Sequence, residues 1–156
     1  GPLQTNKAKL VARFASEFQA LDSLPLAAEL DRRLQEQGRS LDVLIQVNSS
    51  GEDSKFGLPP EDVPGFAATL TGFDALRVRG LMTLALPAPI TGRVRACFVR
   101  MQQVQARLRD QGTTGQSYDE LSMGMSGDFE TAIEHGATVV RIGTAIFGRR
   151  SYPVAG

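Results

Sequence analysis

The chain is 156 residues long, with 17 lysines and arginines against 17 aspartates and glutamates. That length suits one domain around one core, and a net charge of zero provides no overall positive field for nucleic acid or an anionic membrane. A single cysteine, Cys97, excludes an internal disulfide framework, and no apolar run is long enough to span a bilayer, so a reducing, cytoplasmic setting is expected.

Short apolar runs alternate with helical patterns, the signature of βα units feeding a parallel sheet. Phe18 to Leu21 is a weak first strand. Leu26, Leu30 and Leu34 then share one helical face, and Gly38 ends that helix. Leu41 to Val47 is the clearest strand, because contiguous Val43, Leu44 and Ile45 fit a strand covered on both faces. A polar turn from Asn48 to Lys55 follows, and Val63, Phe66, Ala67 and Leu70 mark another helix.

Val78 to Leu84 is the third strand, closed by a loop containing Pro87 and Pro89. Val94, Cys97, Phe98, Met101, Val104 and Leu108 recur at three- and four-residue steps, so they form the core stripe of the longest helix, with Cys97 a packed thiol. Glu120 to Met123 and Thr138 to Ile142 are the fourth and fifth strands. Between them Phe129, Ala132 and Ile133 make a short helix that Gly136 caps. An eight-unit barrel needs about 250 residues, so a barrel reading places roughly three units ahead of this chain; an open doubly wound sheet needs none.

The stretch Leu121 to Gly148 carries two small-residue turns, Ser-Met-Gly-Met-Ser-Gly-Asp and Arg-Ile-Gly-Thr, on either side of one helix. Glycines let backbone approach a ligand, and barrel enzymes often hold a phosphate on the loops after their last two strands. Ser122 and Ser126 offer hydroxyls, and the amides around Gly124, Ser126, Gly143 and Thr144 offer backbone donors. Ordinary tight turns are the simpler alternative.

Arg141 interrupts an otherwise apolar strand and needs an inward partner or a ligand. Placed at a pyridine nitrogen, its guanidinium would keep that nitrogen unprotonated and weaken the ring as an electron sink. Met82 and Met123 sit at strand ends, where each packs in the core or against a cofactor ring. His135 suits a helix C-terminus, and with Cys97 it makes no metal-ligand cluster. Lys7, Lys9 and Lys55 are the only lysines, and none is placed as an aldehyde anchor.

Five segments together are similar to one family: Gly1 to Lys7, Val43 to Gly57, Arg79 to Met82, Leu121 to Ser126 and Val140 to Gly148. They resemble the YggS/PROSC family of pyridoxal phosphate homeostasis proteins, in order and roughly in spacing, over nearly the whole chain. The resemblance implies an α/β fold, a TIM-type (β/α)8 barrel of the alanine racemase class, here roughly its last five βα units. Residues 1–156 would form a single, N-terminally incomplete barrel domain. The family carries a segment like Gly1 to Lys7 after its third strand, so Gly1 and Pro2 are expected to be native, and its Schiff-base lysine lies ahead of this chain.

The resemblance further implies binding of pyridoxal 5'-phosphate (PLP) in intracellular vitamin B6 homeostasis, without established catalysis. Ser122 or Ser126, Gly143 and Thr144 would hold the phosphate, Arg141 would face the pyridine nitrogen, and Met82 would lie against the cofactor. No residue is assigned a catalytic or metal-binding role. PLP and PLP-dependent apo-enzymes are the expected partners, with neither nucleic acid nor membrane, and a monomer or weak dimer the expected state. The alternatives are a PLP-dependent amino-acid racemase or decarboxylase of the same barrel class, and a barrel protein for another phosphorylated metabolite.

Overall fold

Where apolar residues run without a break, both faces of a strand must be covered, and the central strands of this chain are covered by helices on one side and by their own curl on the other. The computed structural model describes residues 3–53, 56–86, 92–112 and 115–151. Gly1, Pro2, Lys55 and the Pro87/Pro89 loop of the sequence reading lie outside them. In chain order the elements are α1 (Ala8–Phe14), β1 (Glu17–Leu21), α2 (Leu24–Glu36), β2 (Leu41–Gln46), α3 (Val63–Leu70) and β3 (Leu76–Met82). There follow α4 (Gly92–Gln111), β4 (Glu120–Met125), α5 (Phe129–Glu134), β5 (Val139–Arg141) and α6 (Thr144–Phe147). Single 3-10 turns precede α1 and α3.

All five strands are parallel and lie side by side in sequence order, each reached through a helical crossover. Val43, Leu44 and Ile45 are fully buried, as contiguous apolar runs require. The helices return their apolar stripes to the sheet: Leu26, Leu30 and Leu34 from α2, and Val94, Phe98, Met101 and Leu108 from α4, in one core cluster. Cys97 is buried in α4, a packed thiol as the stripe predicted. Among the described residues no helix is long and apolar enough to cross a membrane.

The boundaries differ from the sequence reading where side chains compete with the ladder. β3 starts two residues early, at Leu76 opposite Leu41. It stops at Met82 because the Thr83 hydroxyl turns to donate to the Val47 carbonyl, 2.7 Å away. β5 is only three residues long, since the Thr138 hydroxyl accepts the Leu121 N–H at 2.9 Å ahead of it. α1 is an added helix, held by Ala8 and Ala12 buried one turn apart and by the Arg39 guanidinium on the carbonyls of Ala12 and Ala15. α6, a single turn, is also added.

Two contacts define the shape of the sheet. A Cβ built on Gly80 would stand 1.9 Å from the Glu120 carbonyl oxygen, so only glycine lets β3 approach β4 here. Gln19 on β1 meets Ser122 on β4 at 2.6 Å, although two strands lie between them. A flat sheet would hold those strands about 14 Å apart, so the sheet curls with both side chains on its concave face.

Candidate ligand-binding site

In parallel α/β sheets the turns at the carboxyl ends of the strands gather in one place, and both small-residue turns lie there. β4 carries a bulge: Ser122 pairs with Val139 and Met125 with Arg141, three residues against two. Gly124 sits in that bulge at φ +101°, and a Cβ on it would fall 2.7 Å from the Cβ of Ala132. This glycine therefore serves the packing of α5 on the strand end. The Asp128 carboxylate accepts the Met125 N–H at 2.7 Å, closing the turn, and its side chain does not cap α5.

The two turns are clasped directly. The Ala145 N–H donates to Ser126 Oγ at 3.1 Å, joining the β4–α5 turn to the first residues after β5. With a lone pair used, the Ser126 hydroxyl keeps its proton to donate. Among the described residues, the N–H groups of Ser126, Gly127, Gly143 and Thr144 make no hydrogen bond. Gly143 and Thr144 line an open depression of about 890 Å³, walled also by Met125, Phe147, Arg149 and Arg150, and Ser126 is tied beside it through the Ala145 N–H. Phe147 is 85% exposed.

Arg141 leaves the end of β5 toward the concave face. Its Nη1 donates to Ser122 Oγ at 2.6 Å and to the Ser122 carbonyl at 3.3 Å, and its Nη2 donates to the Thr83 carbonyl at 2.7 Å. Every one of these acceptors is neutral, and among the described residues Arg141 forms no ion pair. Burial pushes its pKa below the ordinary arginine value, with Asp128 pulling the other way. A half-buried cation held only by neutral groups retains a field toward any anion or lone pair brought to it. Its Nε–H and the second Nη2 hydrogen have no partner among the described residues.

The predicted site residues thus separate. Ser126, Gly143, Thr144 and the amides around them share one rim. Ser122 does not join them: fully buried, it accepts from Arg141 and donates to Gln19 Oε1, so its hydroxyl is spent within the sheet. Met82 pairs beside Ser122 and is 7% exposed, its carbonyl taking the Val47 N–H, whereas Met125 lines the depression. His135 ends α5, its Nδ1 2.8 Å from the Thr131 carbonyl. Lys7 and Lys9 are exposed at the start of the chain.

Two participants were not foreseen, Gln19 and Thr83. Thr83 is fully buried, its hydroxyl 2.8 Å from Ser49 Oγ, and its place directly after an apolar strand was the available signal. Elsewhere, a hollow of about 520 Å³ between the β2–α3 loop and α4 shares no residue with the depression.

A parallel sheet curled into part of a barrel, with two clasped turns and the Arg141 guanidinium at its carboxyl edge, defines a partial-barrel α/β protein. Residues 1–151 match the family "Alanine racemase, N-terminal domain", and the chain belongs to that family. The sheet is accordingly part of a TIM-type barrel. The pyridoxal phosphate homeostasis proteins of Escherichia coli (strain K12) and Pasteurella multocida (strain Pm70) are 42% and 40% identical over 152 residues. Each alignment takes in 97% of this chain, and 64% and 65% of those proteins. The chain therefore spans somewhat less than two thirds of the length of these curated relatives.

The structure of PipY from Synechococcus elongatus PCC7942, with PLP bound, matches at a TM-score of 0.84 and 33% identity, over 95% of this chain and 68% of that one. An alanine racemase of Clostridium difficile 630 matches at 0.79 and 15% identity, over 99% of this chain and 39% of that one; that likeness concerns the fold alone.

Proposed function

We propose that this chain carries the part of a PLP-binding protein that grips the cofactor's phosphate and ring, and that the protein serves cytoplasmic vitamin B6 homeostasis as a holder of the cofactor. The observation that carries this reading is Arg141, a half-buried cation with only neutral hydrogen-bond partners among the described residues, beside two turns in which the Ser126, Gly127, Gly143 and Thr144 amides have no partner among those residues. The homeostasis proteins and the PLP-bound PipY support the choice of ligand.

The residues fit the group on chemical grounds. A phosphate monoester takes several N–H and O–H donors at close range, which Gly143 and Thr144 offer in the depression and Ser126 and Gly127 on the turn clasped to it. Arg149 and Arg150 add positive charge to the same depression. A pyridine nitrogen takes one donor, and Arg141 cannot give up its proton to it. When bound, PLP supplies an aldehyde and an electron-withdrawing ring. An arginine at the nitrogen leaves the ring uncharged there, so withdrawal is weak and holding is favoured over carbanion chemistry.

Calorimetric titration of the chain with PLP, inorganic phosphate and a sugar phosphate tests the reading. PLP should bind more tightly than either of the others, and Arg141→Gln should weaken PLP on the order of tenfold while leaving inorganic phosphate unaffected. Equal affinity for the sugar phosphate would assign the site to another phosphorylated metabolite. Turnover of optically active amino acids with added PLP would contradict the holding role.

A further inference from the structure

Behind Arg141 the concave face of the sheet carries a line of polar side chains whose hydrogen bonds all run one way. Arg141 Nη1 donates to Ser122 Oγ at 2.6 Å, the Ser122 hydroxyl donates to Gln19 Oε1 at 2.6 Å, and Gln19 Nε2 donates to Glu17 Oε1 at 2.6 Å. The ends dictate the direction. A guanidinium only donates and an ionised carboxylate only accepts, so the hydroxyl and the amide between them each have a single arrangement. The line joins β5 to its neighbour β4, and β4 to β1, which only the curl of the sheet brings within reach.

We propose that Gln19 is a positioning residue: acting through Ser122, it fixes the plane of the Arg141 guanidinium toward the ring nitrogen of a pyridoxal-type ligand. This rests on the ligand reading above and names a residue outside the binding rim. Arg141 is anchored at two points, Nη1 on Ser122 and Nη2 on the Thr83 carbonyl at 2.7 Å. The pair stops rotation about its terminal C–N bonds and leaves Nε–H and one Nη2–H as the donors with fixed direction. Gln19 maintains the first anchor by accepting the hydrogen bond of the Ser122 hydroxyl, which turns the hydroxyl lone pair toward Arg141. Ser122 is fully buried, which keeps bulk water from replacing the amide. Without Gln19 the hydroxyl rotor is free, so its lone pair is no longer held toward Nη1, and the bond of fixed direction left to Nη1 is the one to the Ser122 carbonyl at 3.3 Å.

The test compares PLP with its carbocyclic analogue, in which the ring nitrogen is replaced by C–H, on the full chain. The wild-type chain should prefer PLP by about tenfold, the value of one charge-assisted hydrogen bond. Gln19→Leu should bring that preference to within about twofold, leave inorganic phosphate affinity unchanged, and have no further effect when added to Arg141→Gln. The double exchange Glu17→Gln with Gln19→Glu keeps an acceptor for Ser122 and should restore the preference. A preference undiminished in Gln19→Leu overturns the proposal. A second readout needs no ligand: nitrogen-15 NMR should show slow rotation of the Arg141 guanidinium in the wild type and fast rotation in Gln19→Leu. If the chain binds neither compound, the ligand reading falls, and the relay stands or falls on that signature alone.

Discussion

Ser122 and Ser126 lie four residues apart in one motif, and replacing each by alanine should have opposite consequences. Ser122 is fully buried, donates one neutral hydrogen bond to Gln19 and accepts one from a guanidinium. Such bonds contribute about 1 kcal/mol and about 1.5–3 kcal/mol respectively. Part of the loss is recovered, because Arg141 Nη1 keeps the Ser122 carbonyl at 3.3 Å and the partly exposed Gln19 gains water. Ser122→Ala should therefore cost about 2 kcal/mol of folding stability, read as a lower urea midpoint with an unchanged slope. Its affinity for inorganic phosphate should match the wild type, since its hydroxyl faces the sheet. Ser126 accepts one bond, from Ala145, on an accessible turn, so Ser126→Ala should cost about 0.5 kcal/mol of stability. It should weaken phosphate by about tenfold or more if its free proton meets a phosphate oxygen. Wild-type stability in Ser122→Ala together with lost phosphate binding would refute the assignment of the two hydroxyls.

Three further outcomes follow from the packing and the charges. Gly80→Ala brings a Cβ to 1.9 Å from a backbone oxygen that cannot move without parting β3 from β4, so a loss above about 4 kcal/mol, or failure to fold, should appear in urea or thermal unfolding. Gly124→Ala combines φ +101° with a 2.7 Å approach to Ala132 and should cost about 2–4 kcal/mol, with loosened protection of the α5 amides in hydrogen exchange. Burial, with Glu17 and Asp42 nearby, raises the Glu120 pKa above its ordinary 4.5. The unfolded chain thus ionises at lower pH than the folded one, and the stability Glu120 contributes when protonated is lost as pH rises through its raised value. Glu120→Gln should accordingly raise the urea midpoint at pH 7 and leave it unchanged below the ordinary glutamate range, and an equal gain at both would refute the assignment.

Elements whose burial is written in runs or stripes were legible along the chain. Val43 to Ile45 and the α4 stripe from Val94 to Leu108 are buried as their spacing requires. β1 was weak because it is an edge strand with only Leu21 fully buried among five residues. α1 escaped because its buried face is two alanines, Ala8 and Ala12, too small to stand out as an apolar stripe. The rim formed by Ser126, Gly143 and Thr144 was legible because small residues have few reasons to cluster at two strand ends. Gln19 was not, since 103 positions separate it from Ser122 and only the curl of the sheet joins them.

The two serines show where a strand pattern loses its information. In a regular strand, residues 122, 124 and 126 share one face, so both hydroxyls would point the same way and compete for one role. The bulge at Gly124 inserts one residue between the Val139 and Arg141 registers and breaks that alternation. Ser122 then stays on the concave face, where it anchors Arg141, while Ser126 is carried to the rim, where Ala145 holds it. The same distortion therefore divides the work between the serines, the buried one orienting the cation and the half-buried one free to donate. Because Gly124 tolerates no Cβ against Ala132, the division depends on how tightly α5 packs on β4, and loosening that contact should disturb phosphate binding and the Arg141 anchor together.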